Sequence, residues 1–163
     1  MVSKKVLKLL HEQVVLEGES SAIYLAMAAW AEYKGFRGTS GFMYKQSEEE
    51  RSHMNKIMRF IMEIGEQVKV PGIREPKDSY KDLEEVFTQT VGHEQKVTAS
   101  IHNLYKTANE NGDFAVASFL KWFIDEQVEE EASAKQALDI VKMASKVSFY
   151  LADKEIGALK AGK

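Results

Sequence analysis

Residues 42–64 read FMYKQSEEERSHMNKIMRFIMEI, a helical pattern with polar residues at positions where apolar ones are expected. Residues three and four positions apart share one face of an α-helix. One such stripe consists of Phe42, Gln46, Glu50, His53, Ile57, Phe60 and Ile64. Glu50 and His53 form an E-x-x-H pair within it, so both side chains are predicted to point into the same interior as their apolar neighbours.

Three other predicted helices carry the same kind of interruption in their apolar stripes. The interrupting residues are Glu17 in the first helix, Glu94 in the third, and Gln127 and Glu130 in the fourth. They repeat along the chain, because Glu17 and Glu94, Glu50 and Gln127, and His53 and Glu130 are each 77 positions apart. Two similar hairpins facing each other would place all the polar groups at one depth.

The pattern predicts an all-α fold in one domain, 1–163, with a bundle over about 3–143 and a short C-terminal helix over about 147–159. The four long helices are expected at about 3–34, 39–65, 83–109 and 114–143, with Thr39 or Ser40 and Asp113 as N-caps. Residues 66–80 contain both prolines and form a long connection between helices two and three. Since a helix of about 27 residues is ~40 Å long, such a segment can cross the whole bundle.

Composition excludes several classes of protein. The chain has 163 residues and no cysteine, so disulfides, iron–sulfur clusters and thiolate zinc sites are ruled out. A net charge of −3 gives no polybasic surface for nucleic acid or anionic lipid. No apolar run approaches the ~20 residues of a membrane span, and the first residues lack a secretory signal pattern. A cytoplasmic protein is therefore expected, without nucleic-acid or membrane partners.

Four buried carboxylates at one depth call for a cation. An isolated buried carboxylate costs several kcal/mol, and carboxylates that crowd together take up protons rather than remain charged. Two divalent ions would supply the missing positive charge. A ligand set of carboxylate oxygens with one imidazole suits iron or manganese better than zinc. A single buried carboxylate has a salt-bridged core residue as its alternative interpretation, but the matched set favours a di-metal site.

With these residues in place, the whole chain resembles the ferritins, and most closely the haem-free bacterial ferritins. The most specific stretches are 16–17, 48–53, 93–95 and 122–131. The resemblance implies a ferritin-like bundle with one long crossover and a short fifth helix. It also implies that Glu17, Glu50 and His53 hold one iron, and that Glu50, Glu94 and Glu130 hold a second, with Glu50 as the bridge. Gln127 would sit beside the centre and orient water or oxygen.

The same resemblance implies accessory residues. Glu49, Glu126 and Glu129, with Glu130, match a third iron site on the cavity side, although such a run can also be a solvated charged face. Tyr24 and Trp122 match aromatic residues near the centre that could donate electrons, and the alternative is that both are packed core aromatics. Arg51 follows the bridging glutamate where haem-binding bacterioferritins carry methionine, so no haem is expected.

The function implied is iron storage and detoxification. Fe(II) would be oxidised to Fe(III) by O₂ or H₂O₂, and ferric mineral deposited inside a hollow cage of twenty-four identical subunits. The alternatives are a rubrerythrin-like peroxidase or another di-metal enzyme without storage, a DNA-protecting mini-ferritin, and a purely structural bundle. Rubrerythrins are expected to carry E-x-x-H on both hairpins, whereas the second pair here is Gln127 and Glu130.

Overall fold

A computed structural model describes residues 2–159, and five α-helices account for the regular structure in that range. They are α1 (Lys4–Tyr33), α2 (Arg37–Glu63), α3 (Leu83–Glu110), α4 (Phe114–Ala144) and α5 (Phe149–Gly157). The all-α prediction is confirmed, and the long connection between the second and third helices is where the prolines placed it. Within the described range, no helix is both long and apolar enough to cross a membrane.

Local signals set most of the helix ends. The Ser3 side chain accepts a hydrogen bond from the Val6 amide at 3.3 Å, and Asp82 accepts one from the Glu85 amide at 2.9 Å. Both are ordinary N-caps, which satisfy amides that have no partner inside the helix. The turns of the two hairpins contain Gly35 and Gly112 at φ 83° and 72°. Glycine adopts this left-handed conformation without a steric penalty, so both hairpins turn sharply.

The predicted N-caps of the second helix are wrong. That helix begins at Arg37, and Thr39 and Ser40 are buried in its first turn. Its first amides are capped from the far end of the chain, because the Asp153 carboxylate of α5 accepts hydrogen bonds from Gly38 N at 3.0 Å and Thr39 N at 2.7 Å. A cap supplied by tertiary contact leaves no local signal.

Asp113 precedes α4 as predicted, but its side chain does not cap that helix. The carboxylate instead accepts hydrogen bonds from Ser3 N at 3.2 Å and Ser3 Oγ at 2.7 Å. Asp113 therefore ties the start of α1 to the turn between α3 and α4.

The bundle has two apolar layers with a polar layer between them. α1 packs along α2, α3 packs along α4, and α1 also contacts α3. One apolar cluster includes Met27, Phe42, Phe87 and Val141. The other includes Leu10, Ile57, Ile101 and Leu120. On every long helix the predicted site residues fall between the two clusters, so the antiparallel packing brings them to one level.

The crossover packs against α1 at Gly18. A Cβ on this glycine would lie 2.5 Å from Ile73 Cδ1 and 3.1 Å from Met54 Sδ. Ile73 belongs to the segment between α2 and α3, so that segment reaches α1 at the residue next to Glu17. The close approach explains a glycine inside a helix, where it costs about 1 kcal/mol relative to alanine.

Candidate metal centre

The six residues that interrupt the helix stripes are all buried at the middle of the bundle. None is more than 6% exposed, and they are Glu17, Glu50, His53, Glu94, Gln127 and Glu130. Each of the four long helices contributes at least one of them. Their spacing of three or four from apolar core residues is what turns them inward.

One group of ligand atoms lies between α1 and α2. Glu17, Glu50 and His53 each offer one atom, and these atoms lie within 4.8 Å of one another. His53 Nδ1 is 3.5 Å from Glu50 Oε2. Among the described residues, Glu17 Oε2 and both oxygens of Glu50 are buried without a hydrogen-bond partner. Because buried polar atoms are nearly always paired, these oxygens fit metal ligands.

The other half of the centre lies on α3 and α4. The Tyr24 hydroxyl donates to Glu94 Oε1, and Gln127 Nε2 donates to Glu94 Oε2 at 3.2 Å. Glu130 Oε2 accepts a hydrogen bond from the amide of Gln46 at 2.8 Å. Both carboxylates are therefore held in place by neutral donors.

The carboxylates of the centre favour their protonated forms in the absence of a cation. Burial, and then the negative charge of a neighbouring carboxylate, raises the pKa of Glu17 and Glu50 well above the usual range. Burial also raises the pKa of Glu94. Burial and the charge of Glu94 raise the pKa of Glu130 to about 8. A pair of divalent cations would reverse this preference by stabilising the ionised carboxylates.

The three further acids predicted on the cavity side occupy different environments. Glu126 is half-buried, and its carboxylate joins His53 and Glu130 in a second group of ligand atoms within 4.8 Å of one another. Glu49 is half-buried with Oε2 unpaired among the described residues, and burial raises its pKa. Glu129 is exposed and lies outside both groups. Glu126 and Glu49 thus border the centre, whereas Glu129 faces outward.

The two aromatic residues predicted near the centre, Tyr24 and Trp122, differ in how deeply they are buried. Tyr24 is fully buried, and its hydroxyl reaches Glu94. Trp122 is 38% exposed in the subunit and packs edge-on against Phe123, so it lies at the edge of the core. The centroid of the Trp122 ring lies 5.4 Å from that of the His53 ring. Lys56 Nζ lies 3.4 Å from the centroid of the Trp122 ring.

Sequence reasoning assigned no role to three residues close to the centre. Gln13 donates to Glu17, and Gln46 donates to Glu130, each at 2.8 Å. His93 shares a 2.7 Å hydrogen bond with Ser20 and packs edge-on against Tyr24, and burial lowers its pKa to about 4. Gln13 precedes Glu17 by one helical turn, which is a signal that could have found it.

Comparison with known proteins agrees with this architecture. Residues 7–144 match the Ferritin-like domain family. The chain is 36% identical over 161 residues to a probable bacterial non-heme ferritin-like protein of Haemophilus influenzae, with 98% of each chain covered. It is 33% identical to the bacterial non-heme ferritin of Escherichia coli, again over 98% of both.

Solved structures give the same answer. An open pore ferritin from the archaeon Archaeoglobus fulgidus superposes with a TM-score of 0.93 at 33% identity. The superposition covers 98% of this chain and 99% of that one. Sequence and structure therefore agree over nearly the full length, and the chain belongs to the ferritin family.

Proposed function

We propose that this protein stores iron and oxidises Fe(II) to Fe(III) at the buried centre. The observation that carries the proposal is the set of unpaired carboxylate oxygens on Glu17 and Glu50, facing an imidazole in the middle of an apolar bundle. Membership of the ferritin family, and relatives described as bacterial non-heme ferritins, support the same activity.

Two ions would share the centre. In this proposal Glu17, Glu50 and His53 hold one Fe(II), and Glu50, Glu94 and Glu130 hold the other. Glu50 suits the bridging role because both its oxygens lack hydrogen-bond donors among the described residues, and because burial and then the negative charge of Glu94 raise its pKa. Oxygen ligands with a single imidazole match the preference of iron.

The oxidation itself transfers one electron from each Fe(II) to O₂ or H₂O₂. The protein holds the two ions side by side, supplies the negative charge that stabilises the Fe(III) product, and surrounds the reaction with an apolar shell. Gln127 and Tyr24 border Glu94 and would orient the ligands of the second ion. Tyr24 and Trp122 would provide further electrons when the oxidant requires more than two.

Fe(III) would then leave toward the cavity side. Glu126 shares a group of ligand atoms with His53 and Glu130, Glu49 is half-buried, and Glu129 is exposed. We propose that they hold a third iron in transit to a mineral inside a cage of twenty-four subunits. No haem takes part in this scheme, in keeping with Arg51 beside Glu50.

Iron loading of the purified apo protein tests the proposal. Fe(II) is added aerobically in increasing amounts, free iron is removed by gel filtration, and iron per subunit is measured in the protein fraction. Storage predicts retention far above the three ions that the proposed sites hold, together with rapid O₂ consumption. A protein that consumes peroxide but retains no more than those bound ions would instead be a di-metal peroxidase.

A further inference from the structure

Three of the four carboxylates in the centre each accept a hydrogen bond from a glutamine amide. Glu94 accepts one from Gln127, and the other two pairs are Gln13 with Glu17 and Gln46 with Glu130. Glu50 accepts none from the described residues. The arrangement separates the proposed bridge, with two free oxygens, from the carboxylates at the ends of the centre.

Gln13 is held in one orientation by a second contact. Its Nε2 donates to Glu17 Oε1 at 2.8 Å, while its Oε1 accepts a hydrogen bond from Ser100 Oγ at 2.6 Å. Ser100 belongs to α3, so the amide connects Glu17 to the opposite hairpin. Glu17 Oε2 remains unpaired among the described residues, and one Glu17 oxygen belongs to the group of ligand atoms formed with Glu50 and His53.

Gln46 occupies a site that the fold does not require to be polar. It is 3% exposed and lies among Phe42, Thr90 and Ala134 beside the two carboxylates of the second half. Its Nε2 donates to Glu130, but its Oε1 is buried without a partner among the described residues. A half-satisfied buried amide costs stability, so packing alone does not account for this residue.

Neither Gln13 nor Gln46 is repeated at the matching position of the second hairpin. The position 77 residues after Gln46 is Phe123, and the position 77 residues after Gln13 is Thr90. Thr90 hydrogen-bonds the Val86 carbonyl and the Met27 sulfur instead of a carboxylate. Glu17 and Glu130 therefore each receive an amide donor from a position whose counterpart in the other hairpin supplies none.

We propose that Gln13 and Gln46 are positioning residues, one for each metal site, that fix a terminal carboxylate so that it offers one oxygen to the ion. This inference rests on the proposed di-iron function. An amide bonded to one carboxylate oxygen restricts rotation about the last side-chain bond and leaves the other oxygen as the ligand. Hydrogen-bond partners of metal ligands typically change metal affinity by about 10- to 100-fold when removed.

The test uses Gln13→Leu and Gln46→Leu, which keep the side-chain volume close to that of glutamine and remove the donor. Crystals of each variant are soaked with limiting Co(II), and anomalous scattering measures the occupancy of each site. Gln13→Leu should lose occupancy at the Glu17 site and retain it at the Glu130 site, and Gln46→Leu should show the reverse. Anaerobic Co(II) titrations should show one site weakened by about 10- to 100-fold.

Two further variants separate positioning from packing. Thr90→Val is the matched control, since it is buried beside Gln46 and bonds no carboxylate, and it should bind Co(II) like the native protein. Gln46→Asn keeps an amide donor on a shorter side chain and should restore part of the lost occupancy. Equal losses at both sites, or no loss in either leucine variant, would overturn the inference. A native protein that binds no ion pair would instead overturn the proposed function.

Discussion

Glu50 is a carboxylate of the centre whose ionised form is strongly disfavoured by both burial and neighbouring negative charge. It is 1% exposed, it faces Glu94 and Glu130, and the nearest basic atom is His53 Nδ1 at 3.5 Å. A buried charge cluster of this kind is often less stable than neutral side chains of the same volume. The metal-free protein therefore folds with protons that the metal-bound protein must release.

Glu50→Gln should stabilise the metal-free protein at neutral pH while removing the bridging ligand. We expect a rise in Tm of roughly 2–8 °C, corresponding to ~1–2 kcal/mol in a domain of this size, and loss of rapid two-iron oxidation. Calorimetry and stopped-flow absorbance measure the two effects. Glu48→Gln, an exposed neighbour on the same helix, should change neither. A variant that melts lower yet oxidises iron at the native rate would make Glu50 an ordinary structural residue.

The stability of the metal-free protein should fall as pH rises. The centre's glutamates have folded pKa values above the unfolded value of 4.5, and that of Glu130 is about 8. At pH values between the unfolded and the folded pKa, the unfolded chain releases protons that the folded chain keeps. The free energy of unfolding therefore decreases as pH rises. Above about 8 the contribution of Glu130 is constant. Tm measured from pH 6.5 to 8 checks this, because below about 6.5 the lowered pKa of His93, about 4, changes stability in the opposite direction. Glu50→Gln should give a shallower slope. A Tm that rises across that interval would contradict the shifts.

The sequence predicted which polar residues lie buried between the two apolar clusters better than it predicted the side chains that hydrogen-bond them. Glu17, Glu50, His53, Glu94 and Glu130 were found because charged groups on an apolar stripe are unusual. Glutamine is less informative, since it is common on both exposed helix faces and their edges. The roles of Gln13 and Gln46 depend on which carboxylate each faces, and that is set by how the four helices pack.

At the scale of elements, α5 is locked against the start of α2. Asp153 caps the first amides of α2, and the backbones of the two helices meet at a pair of glycines, since a Cβ on Gly157 would lie 2.9 Å from Gly38 Cα. The sequence predicted α5 and all four long helices to within a few residues. It did not predict this contact, because a cap supplied from more than a hundred residues away follows no local spacing.

Gly38→Ala should detach α5. A Cβ there would lie 2.0 Å from the Asp153 backbone oxygen, which cannot move without displacing the whole helix. We expect a lower Tm, with loss of a cap that contributes ~0.5–2 kcal/mol, and faster hydrogen exchange in α5. Gly41→Ala lies in the same helix with no atom near its Cβ, so it should raise stability by about 1 kcal/mol. Unchanged exchange in the Gly38 variant would show that the contact is dispensable.

At the scale of the whole molecule, the subunit carries large apolar side chains on its surface, and they would be in contact with water if the subunit were isolated. Tyr33, Val70, Phe114, Val147 and Tyr150 are each more than 70% exposed. They lie on α1, the crossover, α4, the α4–α5 turn and α5, so several faces of the subunit carry them. Exposed apolar side chains of this size are available for contacts between subunits.

We therefore expect a closed spherical oligomer, with twenty-four subunits as the proposed number. Burial of these apolar residues between subunits favours assembly, and sedimentation velocity measures the mass and frictional ratio directly. The experiment should be repeated over a range of protein and salt concentrations, which separates apolar from charge-mediated contacts. Only monomer or dimer under all conditions would exclude the cage.

The long crossover should also separate folding into an early step, in which each hairpin closes, and a later step, in which the two hairpins dock. Each hairpin closes through contacts near in sequence, whereas α1 meets α3 only after residues 64–82 have crossed the bundle. Local contacts form quickly and distant ones slowly. The slow encounter is also the one that brings Glu17 and Glu50 up to Glu94 and Glu130. Refolding of the metal-free chain should consequently slow as pH rises, because the last docking step has to recruit the protons that keep these acids neutral.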